Sequence, residues 1–125
     1  MKKIIIFMMV FFVVMPVWAD SLTGPEKNAV RSAQRHVDYK GWSRAGLIDQ
    51  LSSKYGSGYP RAVAITAVDS LNIDWYEQAA RAAQRHVDYK GWSCRNLIKQ
   101  LSSEYGSQFT LDQATYGARQ TNACQ

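Results

Sequence analysis

The chain has 125 residues, fifteen of them Lys or Arg and ten Asp or Glu, for a formal charge of +5 at pH 7. Lys2 and Lys3 lie in an apolar N-terminal stretch, so the rest carries an excess of only about +3, interspersed instead of gathered in a block. That disfavours the strong basic footprint of a nucleic-acid binder, allows an acidic partner, and leaves room for one compact unit or two small helical units sharing a core.

The first nineteen residues read as a signal peptide. Lys2 and Lys3 form a basic head, residues 4–18 are almost wholly apolar, and Val17-Trp18-Ala19 offers a cleavage region before Asp20. An apolar run of about fifteen residues is shorter than the roughly twenty that span a bilayer, so no stable membrane insertion is expected after cleavage. No cysteine follows the cut, so lipidation there is not expected, and the product is placed in the periplasm or outside the cell.

From Ala29 the chain reads AVRSAQRHVDYKGWS, and from Ala79 it reads AARAAQRHVDYKGWS. LIDQLSSKYGSGY from Leu47 likewise returns as LIKQLSSEYGSQF from Leu97. A spacing of about fifty residues marks tandem supersecondary units, here a first repeat over residues 20–73 and a second over 74–125.

Each repeat is expected to hold three short helices, making the protein all-α with helix-turn-helix-like units. Over residues 25–37 the apolar positions Ala29, Val30, Ala33 and Val37 recur at three and four residues, and Gly41 supplies a permissive backbone beyond the helix end. Ser43 is placed to cap a second helix with Leu47, Ile48, Leu51 and Tyr55 on one face. Pro60 opens a third, whose apolar face is Val63, Ala64, Ala67, Val68 and Leu71.

In the second repeat, Asp74 with Glu77 resembles a capping box ahead of a helix over residues 75–87. Further helices are expected over residues 95–105 and 111–120, with Thr110 and Gln113 as another capping pair. The last helix carries Gly117-Ala118-Arg119-Gln120-Thr121 where the first repeat has Ala67-Val68-Asp69-Ser70-Leu71, so little apolar surface is left to hold it. Cys94 and Cys124 bracket that helix, and export favours a bond between them, worth about 2 to 4 kcal/mol, over two free buried thiols.

Enzyme chemistry is not legible. His36 and His86 are copies of one position with no nucleophile in a recognised arrangement, Asp38 and Asp88 are likewise equivalent, and the glycines fall singly at helix ends. No metal-ligand spacing appears, no cofactor is implied, and no small-molecule substrate suggests itself. Trp42 and Trp92, each preceded by glycine, read first as plugs of the small core and second as interface anchors. The run Gln34 to Lys40 is identical in Gln84 to Lys90, which makes Arg35, Asp38, Lys40 and Trp42, with Arg85, Asp88, Lys90 and Trp92, a candidate partner-binding surface presented twice. Helix-turn-helix geometry also offers Arg44, Lys54, Arg61, Arg95 and Lys99 to phosphates, a reading that export disfavours.

The pattern DYKGWSRAGLIDQLSSKYG, then AVDSLNIDW, then a second copy, resembles the Ltp-like family of host-cell-surface lipoproteins of phages and bacteria. The hallmarks are an aromatic before a serine cap, the run SR-x-GLI-x-QL, the YG stop and AVDSL leading to DW. The resemblance implies a non-enzymatic superinfection exclusion protein, made by a resident prophage, that binds a phage tape-measure or tail-tip protein and blocks DNA injection. This chain departs from the pattern in lacking the lipoprotein cysteine, in reading Ser93-Cys94-Arg95-Asn96-Leu97 against Ser43-Arg44-Ala45-Gly46-Leu47, and in a decayed final AVDSL.

Overall fold

The computed structural model describes residues 21–125, so the expected signal peptide lies outside the described residues. These residues form six α-helices and a 3-10 turn, with no strand among them. In the first repeat α1 is Gly24–Tyr39, α2 Arg44–Ser52 and α3 Arg61–Ser70. In the second, α4 is Trp75–Tyr89, α5 Cys94–Ser102 and α6 Leu111–Arg119, followed by the 3-10 turn Asn122–Cys124.

Caps start these helices much as their sequence requires. Ser43 accepts from the Gly46 amide at 2.9 Å and Ser93 from Asn96 at 3.2 Å. Each bond satisfies one amide donor that a helix start would otherwise leave free. At α6 the capping box is complete, with Thr110 accepting from the Gln113 amide and the Gln113 side chain accepting from the Thr110 amide. At α4 only half of the box forms: the Asp74 carboxylate accepts from the amides of Tyr76 and Glu77.

Within each repeat the first helix packs chiefly on the third, and the second closes the bundle from the side. Leu47 and Leu51 in one repeat and Leu97 and Leu101 in the other are fully buried. Burial of each contributes about 1.5 to 3 kcal/mol, so the two cores are centred on α2 and α5. Trp75, at the start of α4, packs on the first core and so belongs spatially to the repeat before its own.

Three expectations change. Tyr55 does not line the buried face of α2, because the helix ends at Ser52 and the turn that follows leaves Tyr55 88% exposed. Tyr105 repeats this after α5. Gly41 has no left-handed backbone conformation; a Cβ there would fall on the carbonyl oxygen of Gln78 and 2.5 Å from the Ala82 amide nitrogen. Glycine is required by the approach of α4, not by the end of α1. The last helix is also better held than its composition suggests, since Ala114, Gly117 and Ala118 are buried and Gly117 lets α6 lie against the backbone of Ala79.

Two clips of different chemistry start from the same register. In the first repeat Arg44 donates twice to the Asp69 carboxylate, at 2.8 and 2.9 Å. Those hydrogen bonds hold the Asp69 carboxyl below the usual carboxylate range and raise the Arg44 guanidinium. Both side chains are about half exposed, so the pair adds less than about 1 kcal/mol. At the register of Arg44 the second repeat has Cys94, bonded to Cys124 with the Cα atoms 4.8 Å apart.

Candidate functional site

The chemistry with binding character lies where the repeats meet. The C-terminal end of α1 leaves the carbonyls of Val37 and Asp38 without helical partners, and Arg81 of α4 donates to them at 2.7 and 3.2 Å. Gln78, buried on the same helix, accepts from the Trp42 amide at 3.0 Å. Four residues after Arg81, the Arg85 guanidinium lies over the Tyr39 ring at 5.7 Å. Gln78, Arg81, Ala82 and Arg85 therefore form one face of α4 against the loop that follows α1.

Each repeat carries the same three-residue cluster beside this junction. In the first, Lys40 sits 4.3 Å above the Trp42 ring and His36 meets its edge at 5.4 Å. In the second, Lys90 sits 4.4 Å above Trp92 and His86 lies 5.8 Å away. His36 Nδ1 is 2.7 Å from the Ser32 carbonyl and His86 Nδ1 2.9 Å from that of Ala82. A carbonyl only accepts, so Nδ1 is the donor and the ring is fixed to its own helix as a brace for the indole. Both indole rings are half-buried, and both Nε1 groups are buried with no protein acceptor. The tryptophans are thus core plugs with one cation-covered face.

Between the clusters runs a groove of about 460 Å³ lined by Lys40, Gly41, Arg85, His86, Tyr89, Lys90 and Trp92 among others. Three cations on its lip and the exposed Tyr89 ring suit an acidic segment that also offers apolar surface. Lys40 also lines a shallower groove with Arg35, His36, Tyr39 and Trp42. Six of the eight expected surface residues thus form a strip with Lys40 as its hinge.

Asp38 and Asp88 do not join it. Asp38 lines a separate depression with Asp74, Glu77 and Arg81, and accepts from Gln34 at 2.8 Å. Asp88 is held by Gln84 in the same manner. The sequence reading missed Tyr39 and Tyr89, 79% and 88% exposed, although their identity in the two copies just beyond the last apolar position was available as a signal. It also missed Gln78 and Arg81, whose partners lie about forty residues back in the chain.

Among the described residues no three His, Cys, Asp or Glu side chains are grouped to hold a metal ion. Two cations considered for phosphate contact are engaged within the protein, Arg44 with Asp69 and Arg61 with Asp49 at 2.9 Å. Among the described residues no helix is long and apolar enough to cross a membrane.

Comparison with known proteins is consistent with the duplication. A family model described as host cell surface-exposed lipoprotein, Lipoprotein_Ltp, matches residues 25–71 and again residues 74–120. Among solved structures, that of Ltp, a superinfection exclusion protein from the Streptococcus thermophilus temperate phage TP-J34, superposes with a TM-score of 0.73 at 25% identity. The match covers 81% of this chain and 99% of that one. No curated protein matches.

Proposed function

Because the chain belongs to the Ltp family of host cell surface-exposed lipoproteins, we propose that it is a superinfection exclusion protein of the cell envelope, a binding protein and not an enzyme. The observation that carries this reading is the match of both repeats to the family, joined to a structural likeness spanning 99% of a superinfection exclusion protein. The target we infer is a protein of the incoming injection machinery, a tape-measure or tail-tip protein, and the consequence is blocked entry of phage DNA.

The basic, aromatic strip supports a protein partner. Tyr, Trp and Arg are the side chains that interfaces favour, and Arg85, Tyr89 and Trp92 line the groove together. Both cysteines are joined in the disulfide, so neither is free to carry a lipid. We accordingly place the protein in the periplasm, unlipidated, where a tail must pass before DNA reaches the inner membrane.

The test is to follow phage adsorption and arrival of DNA in the cytoplasm separately, in cells expressing the protein, across a panel of tailed phages. Normal adsorption with entry reduced for some phages is expected, and deletion of residues 1–19 should abolish protection. Unaltered entry for every phage, together with sedimentation of the purified protein with peptidoglycan, would replace this reading with that of an envelope-binding module.

A further inference from the structure

The junction between the repeats has a receiving side and an inserting side, and the side chains of both recur elsewhere in the chain, the second receiving side within the strip described above. On the receiving side, residues 34–43 are identical to residues 84–93. Ser43, 2% exposed under the second repeat, corresponds to Ser93, which is exposed. Gly41 lies against α4, whereas a Cβ at Gly91 would meet nothing within 4 Å. Among the described residues, the carbonyls of Val37 and Asp38 receive Arg81 while those of Val87 and Asp88 receive no side-chain donor.

On the inserting side, Gln78, Arg81, Ala82 and Arg85 of α4 correspond in register to Asn28, Arg31, Ser32 and Arg35 of α1. The two arginines are kept, the small residue that permits close approach stays small, and the buried amide shortens by one methylene. Asn28, Arg31 and Arg35 are exposed and Ser32 partly so. Their spacing of three, four and seven places them on a single face of α1.

We propose that this face of α1 in a second copy of the chain docks on the loop of residues 90–93, repeating between molecules the contact that α4 makes within one. Arg31 then donates to the carbonyls of Val87 and Asp88, Asn28 accepts from the Trp92 amide, and Arg35 covers the exposed Tyr89 ring. Residues 121–124 occupy the register of residues 71–74, which lead into α4, so residues 21–24 of the incoming copy turn aside from that path. The contact is head-to-tail, and since each copy keeps one free face of each kind, assembly continues past the dimer.

Sedimentation of the purified protein from micromolar to millimolar concentration tests this, with Arg31→Glu to spoil the inserting face and Gly91→Trp to obstruct the receiving one. The wild type is expected to gain mass with concentration beyond a dimer, and each variant to associate about tenfold more weakly or not at all. An equimolar mixture of the two variants still holds one intact face of each kind and is expected to form heterodimers that do not grow. Thermal unfolding by circular dichroism confirms that both variants fold. A wild type that stays monomeric at millimolar concentration overturns the proposal and leaves a helix of another protein as the occupant. Undiminished association of either variant, or a mixture without heterodimers, overturns it as well.

Discussion

Gln108 shows how closely the second repeat was made to follow the first. It occupies the register of Gly58, and both have positive φ, 62° and 71°. Glycine adopts that conformation freely, whereas for a residue with a Cβ it costs about 1 to 2 kcal/mol. Part of the cost is offset because glycine gives the unfolded chain more freedom. Gln108→Gly is therefore expected to stabilise by about 0.5 to 1 kcal/mol, raising the melting temperature by a few degrees in a calorimetric scan. A lower melting temperature would show that the Gln108 side chain contributes more than its backbone costs.

Helix type and number were legible in the sequence because caps and apolar spacing are local. Thr110 with Gln113, and Ser43 ahead of Leu47, could be read directly, and they begin their helices in the structure. Ends were less legible: α2 and α5 stop at Ser52 and Ser102, and the tyrosines beyond, apolar by type and apt in spacing, face solvent. Strength was least legible. Counting apolar side chains undervalued α6, where Gly117 lies against the α4 backbone and Ala118 is buried beside it. The disulfide nevertheless closes a loop with a sequence separation of 30, so Cys94→Ser is expected to cost about 2 to 4 kcal/mol. The readouts are a lower melting temperature and faster proteolysis over residues 111–125, and unchanged melting would show that packing alone holds α6.

At the scale of the whole molecule, how the two repeats lie against each other was not legible. Gly41 looked like a helix terminator because the reason for it, the Gln78 carbonyl, lies far along the chain. The same holds for Arg81, an ordinary charged helix position until α1 is placed beneath it. Gly41→Val is expected to force α4 away from the loop and cost about 1 to 3 kcal/mol, while Gly91→Val, facing open space, should change stability by less than about 0.5 kcal/mol. Equal losses in the two variants, measured by urea unfolding, would mean that the glycine serves the helix end after all. The candidate surface was half legible for a related reason: duplication marked Lys40, Trp42, Lys90 and Trp92, but only the packed helices divide the strip they form from the acids Asp38 and Asp88.

The clips of the two repeats also tie the halves of the molecule to different surroundings. Arg44 and Asp69 close in any oxidation state and let go only when acid protonates the carboxylate, whereas Cys94 and Cys124 close only where an oxidant is supplied. Under reducing conditions the first half would keep its ion pair while the second would lose the roughly 2 to 4 kcal/mol its disulfide adds, so redox conditions act on one half of the molecule and acid on the other.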